Sequence, residues 1–164
     1  MELWQTDGTT AGVAMVKDIY SGPSSGINAS YASLTVCGNY VFFAANDGTN
    51  GTELWKTDGT TAGTTMIKDI NPSSGSLLEN LVSMNNILYF RATDGTNGKE
   101  LWQSDGTDTG TFMIKDIYSG SSDSTPNGLT RVNNKLFCRK SGFILPDIDI
   151  NFSSNGHDPL FHTV

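Results

Sequence analysis

The stretch ELWKTDGTTAGTTMIKDI at residues 53–70 decides how the chain folds, because close copies of it occur at residues 2–19 and 100–117. The first copy matches it at 14 of 18 positions and the third at 13 of 18, with spacings of 51 and 47 residues. A second shared segment, DGTNG, lies upstream of the later copies at 47–51 and 94–98. Such a period predicts one supersecondary unit repeated along the chain.

Each period predicts four short strands and no helix. One set of strands is expected at 34–37, 40–45, 53–57 and 65–70, and the next set at 81–84, 87–93, 100–104 and 112–117. The segments between them are rich in Gly, Asn and Asp, which supply the positive φ that hairpin turns require. No window shows an apolar period of 3.6 residues, so helices are not expected.

The strands YVFFA at 40–44 and ILYF at 87–90 are apolar on both faces, which indicates sheets covered on both sides. Four-stranded antiparallel meanders of 47–51 residues, stacked radially as β-propeller blades, meet this condition. The predicted class is therefore all-β, with an incomplete ring of about three blades' worth of strands. We expect a half blade at 1–21, blades at 33–71 and 80–118, a half blade at 128–140, and a poorly ordered tail at 141–164.

One further expectation concerns the last half blade. A step of 47 residues from Phe90 places Phe137 at the equivalent position of the next unit.

The motif itself resembles the ELWxxDGT repeat of bacterial proteins often described as hyalin-like. The resemblance covers about residues 2–140, and Val13 in the first copy replaces the Thr that follows the second motif glycine. It implies a large secreted or surface-displayed β-propeller used for adhesion or as an accessory module, with no catalytic residues to carry over. We therefore expect this chain to be a fragment of an extracellular or cell-surface protein, although no signal-peptide pattern follows Met1.

Composition narrows the classes of partner. The net charge of −7 disfavours binding to nucleic acid or to an anionic membrane surface. No apolar run is long enough to span a bilayer. The two cysteines, Cys37 and Cys138, occupy non-equivalent strand positions and are expected to be free thiols.

One tryptophan recurs in each copy of the motif, and it has two interpretations. Trp4, Trp55 and Trp102 are candidates for a sugar-stacking platform with one ring per repeat. The simpler interpretation is that each indole fills the core between two blades, because every repeat must bury something large at the same position.

Acidic residues also recur. Asp7, Asp58 and Asp105 are expected to accept backbone hydrogen bonds inside their own turns, as structural turn residues, with ligand oxygens as the alternative. Candidate ligands for Ca²⁺ are Asp47, Asp94, Glu53 and Glu100, and no other cofactor is expected. Lys68 and Asp69 are candidates for surface ion pairs with Glu53.

These observations predict a non-enzymatic repeat module with a structural, adhesive or protein-interaction role. A carbohydrate-binding, lectin-like propeller is the alternative, and a propeller hydrolase using paired carboxylates is the weaker one. The partners expected are a glycan or a surface protein. We also expect self-association, because the opening strands near 2–6 and 14–19 and the closing strands near 129–132 and 135–139 would together complete one blade.

Overall fold

A computed structural model describes residues 1–27, 33–139, 149–152 and 159–162 of the chain. These residues form strands and turns, which confirms the predicted all-β class, and among them there is no helix long and apolar enough to cross a membrane. The strands are β1 Leu3–Gln5, β2 Ala14–Lys17, β3 Thr35–Cys37, β4 Tyr40–Asn46, β5 Thr52–Thr57, β6 Thr65–Lys68, β7 Glu79–Met84, β8 Ile87–Thr93, β9 Lys99–Ser104, β10 Phe112–Lys115, β11 Asn127–Val132, β12 Lys135–Arg139, β13 Asp149–Phe152 and β14 Pro159–His162.

The strands form four antiparallel sheets in chain order. The first sheet contains only β1 and β2, whereas the second (β3–β6), third (β7–β10) and fourth (β11–β14) each contain four strands. Within each four-stranded sheet, every strand pairs with its neighbour along the chain, so each sheet is a meander. Tight turns make this order accessible: Asn85 and Asn86, between β7 and β8, both have positive φ, as a two-residue type I′ hairpin turn requires.

Successive sheets pack face to face, and an apolar cluster fills each space between them. Because the second and third sheets have a neighbour on either side, each of them packs an apolar cluster against both of its faces. Phe43 of β4 lies in the cluster shared with the first sheet, whereas the adjacent Phe42 lies in the cluster shared with the third. The doubly apolar strands noted in the sequence therefore divide their side chains between two cores.

The clusters are as follows. The first and second sheets share Leu3, Val16, Ile19, Ile27, Phe43, Ala45 and Trp55. The second and third sheets share Cys37, Phe42, Ala44, Leu54, Ile67, Ile70, Leu78, Leu88, Phe90, Ala92 and Trp102. The third and fourth sheets share Met84, Tyr89, Leu101, Leu129 and Leu136.

Lysine side chains add polar links between sheets. Lys17 Nζ on β2 donates a hydrogen bond to the Thr64 carbonyl at 2.7 Å, and Lys56 Nζ on β5 donates to the Gly106 carbonyl at 2.8 Å. In both cases the lysine belongs to one sheet and the carbonyl to a turn of the sheet that follows. The links hold these turns against the sheet that precedes them.

The fourth sheet differs from the sequence expectation in its register. The pair Thr130↔Phe137 corresponds to Val82↔Tyr89, so Phe137 occupies the position of Tyr89 and not that of Phe90. The placement by a 47-residue step is therefore wrong by one residue. The reason is an additional residue in the link that follows Ile117, which moves every later position of the repeat to a 48-residue step.

The fourth sheet also extends beyond the predicted half blade. Strands β13 and β14 lie in the off-pattern tail, and β13 pairs with β12 through two residue pairs, Lys135↔Asn151 and Leu136↔Ile150. By comparison, β4 and β5 share six residue pairs, as do β8 and β9. The rest of the tail, for which the sequence predicts poor order, lies outside the described residues.

The packing predicts a large cost for emptying the core between the second and third sheets. We expect Phe90→Ala to lower the free energy of unfolding by about 3–5 kcal/mol, because the ring is fully buried and its removal leaves a cavity. Phe112→Ala, at an exposed ring on the same sheet, is the matched control and should cost less than about 1 kcal/mol. Urea unfolding followed by fluorescence measures both, and equal losses would contradict the stacked arrangement.

Candidate functional site

The three motif tryptophans have different surroundings. Trp55 and Trp102 are each only 6% exposed and lie in the cores between sheets, whereas Trp4 on the two-stranded first sheet is 58% exposed. Lys17 Nζ lies 5.7 Å from the centroid of the Trp55 ring, so the covering sheet also contributes a cation–π contact. Among the three, only Trp4 presents its ring to a ligand in solution, and a platform with one exposed ring per repeat is not formed.

The motif aspartates close their own turns. Asp58 Oδ1 accepts hydrogen bonds from the Thr60 backbone N–H at 2.8 Å and from Thr60 Oγ1 at 2.7 Å. The same pair of bonds joins Asp7 to Thr9 and Asp105 to Thr107. The side-chain and backbone hydrogen bonds from Thr60 hold the pKa of Asp58 below its ordinary value.

The glycines of the same turn are required for two different reasons. Gly59 has a φ of 91°, a left-handed conformation that L side chains rarely adopt. Gly63 lies directly against the Asp58 carboxylate, so a Cβ at this position would overlap the carboxylate oxygens. Gly63 N–H also donates to Thr60 Oγ1 at 2.9 Å. The spacing DGTxxG is therefore the spacing of one closed hydrogen-bonded turn.

A buried pair of hydroxyls anchors the turn in the second and third repeats. Thr57 Oγ1 lies 2.7 Å from Thr64 Oγ1, and Ser104 Oγ lies 2.7 Å from Thr111 Oγ1. The first repeat has Val13 at the equivalent position, and this side chain is exposed. The first turn thus keeps its aspartate bonds but lacks the hydroxyl anchor.

The loops considered for Ca²⁺ satisfy their carboxylates internally. Asp47 Oδ1 accepts hydrogen bonds from the backbone N–H groups of Thr49 and Asn50, both at 2.9 Å, and its Oδ2 accepts one from Asn50 Nδ2 at 2.8 Å. Partial burial alone would raise the pKa of Asp47, but these bonds hold it below the ordinary value. Asp94 forms the corresponding bonds with Thr96 and Asn97.

The structure does not bring the candidate glutamates to these loops. Glu53 and Glu100 are fully buried within β5 and β9. Among the described residues there is no group of three or more His, Cys, Asp or Glu side chains placed to hold a metal ion.

The glutamates instead bind the link that leaves each sheet. Glu53 Oε2 accepts a hydrogen bond from the Ile70 N–H at 3.0 Å, and Glu100 Oε2 accepts one from the Ile117 N–H at 2.9 Å. Glu100 Oε1 also accepts the Ser124 N–H at 3.1 Å. The carboxylate therefore ties the end of the repeat motif to the segment that leads into the next sheet.

The same arrangement occurs in the first repeat. Glu2 Oε2 accepts the Ile19 N–H at 2.9 Å, and Glu2 Oε1 accepts the Gly26 N–H at 2.6 Å. A β-bulge helps the chain to reach the glutamate. In the second repeat Leu54 pairs with Lys68 and Trp55 with Met66, so the fourth strand has one residue more than the third.

The ion pairs expected for Glu53 are not formed. Lys68 Nζ instead forms a salt bridge with Asp108 Oδ1 at 2.9 Å, which joins the second sheet to a turn of the third. The role of the glutamate was not evident from the sequence, because acidic residues in strands are usually solvated. Its invariant 17-residue separation from the Ile of the motif is the signal that could have indicated it.

Burial affects the protonation of these carboxyl groups. Removal from water raises the pKa of Glu53 to about 7, although the hydrogen bond from Ile70 acts in the opposite direction. Burial raises the pKa of Glu100 as well, against the hydrogen bonds from Ser124 and Ile117. Both groups are located in the fold's interior.

Comparisons with protein-family models, curated proteins and solved structures find no match to the chain. Its function is therefore proposed from its own residues.

The turn geometry predicts that Gly63→Ala destabilises the fold. The added Cβ would force the Asp58 carboxylate out of its turn, which should lower the free energy of unfolding by about 1–3 kcal/mol. Ala62→Thr is the matched control, because Thr109 occupies the equivalent position in the third repeat. Urea unfolding of both variants measures the difference, and a Gly63→Ala variant as stable as the control would exclude the turn as a constraint.

The buried glutamate predicts a specific pH dependence. The folded pKa of Glu53, about 7, lies above the ordinary value of 4.5. Its protonated form therefore stabilises the fold fully below about pH 4.5, and this stability is lost as the pH rises through 7. Between pH 5 and pH 8 the loss should reach about 2–3 kcal/mol. Urea unfolding at several pH values should show this loss in the parent chain.

The dependence should be smaller by that amount in Glu53→Gln. Asp108→Asn, which removes an exposed carboxylate, is the control and should retain the full dependence. If Glu53→Gln also retained it, the loss would have to arise from other groups.

Proposed function

We propose that the chain is a non-enzymatic β-propeller repeat module, part of a larger surface or secreted protein, with a structural, adhesive or protein-interaction role. The observation that carries this proposal is the use of the motif residues. The glutamate binds the link between sheets, the aspartate closes a turn, and two of the three tryptophans fill the core. The residues that recur with the repeat serve to build sheets, which leaves the loops between strands for contact with partners.

The packing of the sheets supports the blade arrangement. Each four-stranded sheet is a meander, and the second and third sheets are covered on both faces by their neighbours in the chain. Propeller blades have this strand order and this double coverage. In a ring of blades, the connecting loops form the rims, and surfaces of that kind commonly bind partners.

Display on a non-adherent bacterial cell tests the proposed role. Cells displaying the folded chain should adhere to protein-coated surfaces more strongly than cells that carry the anchor alone, and free mono- and oligosaccharides should not compete. Cells displaying the destabilised Phe90→Ala variant provide the control for an unfolded repeat. No gain in adhesion with a folded, displayed chain would contradict the proposal.

Two other outcomes would replace it. Saturable competition by one sugar, abolished by Trp4→Ala, would favour the carbohydrate-binding alternative, since Trp4 is the exposed tryptophan. Turnover of a polysaccharide that depends on an acidic residue would favour a hydrolase.

A further inference from the structure

We infer that a second copy of the chain completes the two-stranded first sheet by pairing its β11–β12 hairpin with the free edge of β1. This inference rests on the blade arrangement proposed above and names the partner of one of its sheets. Its basis is a set of unfilled positions on the first and second sheets, together with an incompletely used hairpin on the fourth. Each of these exposed positions can be compared with the equivalent position in another repeat of the same chain, where the residue is buried or the strand edge is paired.

The first unfilled position is a strand edge. In the second and third sheets, the strand that carries the motif tryptophan pairs on both sides: β5 with β4 and β6, and β9 with β8 and β10. Among the residues that the structure describes, its counterpart β1 pairs with β2 alone. The other edge of β1 therefore presents backbone N–H and C=O groups that a further strand can bind.

The second unfilled position is the apolar surface beside that edge. Val36 on β3 is 69% exposed, and it pairs with the half-buried Val41 on the side of the second sheet that faces the first. The residue equivalent to Val41 in the third sheet is Leu88, which is 0% exposed because the inner strands of the second sheet cover it. The first sheet has no inner strands, so nothing within the described residues covers Val36.

The third unfilled position is the outer face of the first sheet. Trp4 and Met15 are exposed there, whereas the equivalent Trp55 and Met66 pack against the preceding sheet. A matching incomplete surface exists on the third sheet. Ile114 and Ile117 are only partly buried. The residues equivalent to Ile114 are Val16 and Ile67, those equivalent to Ile117 are Ile19 and Ile70, and all four are buried. Trp4 and Met15 of one copy therefore fit against Ile114 and Ile117 of another.

The hairpin that fits is β11–β12. It is the inner hairpin of its sheet. In the described part of the chain, β13 pairs with its outward edge through two residue pairs, Lys135↔Asn151 and Leu136↔Ile150. The residues from 137 to 139 have no partner in β13, whereas the equivalent part of β8 is paired throughout with β9. Phe137 and Val132 are also exposed, at the positions where Tyr89 and Met84 are buried by the following sheet.

The register of the new pairing follows from the third sheet. There Phe90 pairs with Trp102 and Tyr89 with Gln103. Transferring these pairs places Cys138 of one copy opposite Trp4 of the other, and Phe137 opposite Gln5. In forming them, β12 exchanges its two pairs with β13 for the longer pairing with β1. If each copy gives its hairpin to the other, the dimer closes with two-fold symmetry and contains six four-stranded sheets. Two are complete within each chain (β3–β6 and β7–β10), and the other two combine β11–β12 of one copy with β1–β2 of the other.

Disulfide trapping tests this register on the full 164-residue chain. Trp4→Cys places a thiol opposite the native Cys138, and mild oxidation with oxidised glutathione should then link two chains through these positions. The linked peptides can be identified by mass spectrometry, and Cys138→Ser in the same background should abolish the link. Gln5→Cys is the matched control, because neighbouring strand positions face opposite sides of a sheet and its thiol should not reach Cys138.

Sedimentation velocity tests the association itself. The parent chain should sediment with twice its 17.6 kDa mass, and Val36→Lys should weaken the dimer by about 100-fold, since it places a charge in the buried surface. Leu77→Lys, at an exposed apolar residue in the link between the second and third sheets, should leave the dimer intact. Circular dichroism must show that both variants retain the parent fold.

Two results would overturn the inference: a folded parent chain that stays monomeric at all concentrations, or a dimer whose trapped disulfide does not join the Trp4→Cys position to Cys138. Neither result would affect the adhesion measured with displayed cells. A monomeric chain that still adheres removes the second copy as partner and leaves the proposed function in place. A dimeric chain that does not adhere would contradict the proposed function and leave the second copy in place as the partner.

Discussion

The hydrogen bonds between a buried glutamate and the link that follows it determine how one sheet leads to the next. In each repeat, a carboxylate oxygen of the motif glutamate accepts the N–H of an isoleucine 17 residues later. This isoleucine enters the core between sheets, so one contact sets both the direction in which the chain leaves the sheet and the packing of an apolar side chain. A carboxylate without water needs such donors, and the backbone at the end of the repeat provides them.

The rest of the motif supports this contact. The β-bulge beside Trp55 adds one residue to the fourth strand, and the residues after it turn back toward Glu53. The DGTxxG turn connects the third and fourth strands with bonds that lie entirely within itself. The tryptophan then fills the space against the preceding sheet. The glutamate contact, the β-bulge, the closed turn and the core tryptophan thus all lie within 18 residues, which explains why the motif is long and recurs as a unit.

Much of the fold could be predicted from the sequence, because it depends on local rules. The positive φ at Asn85 and Asn86 and the hydrogen bonds of Asp58 follow from residue type and spacing. The environment of Trp4 could not be predicted in the same way. Its motif copy matches that of Trp55 at 14 of 18 positions, and the exposed ring differs from the buried one because fewer sheets surround it.

The remaining differences also have physical causes that a pattern does not contain. A single extra residue in a link shifts every later position of the repeat, and this moved Phe137 from one side of β12 to the other. Strands β13 and β14 have no trace of the repeat, so backbone pairing alone identifies them. For Glu53, residue type suggested a surface position, whereas the Ile70 N–H that binds its carboxylate lies 17 residues later in the sequence.

The lysine contacts between sheets give the stack a direction. Lys17 and Lys56 each reach forward to a carbonyl in the following sheet, and Lys68 does the same toward Asp108. The two ends of the stack are therefore chemically different, like the two ends of a polar filament. Joining the leading end of one unit to the trailing end of another is the arrangement that would repeat these lysine contacts across the junction.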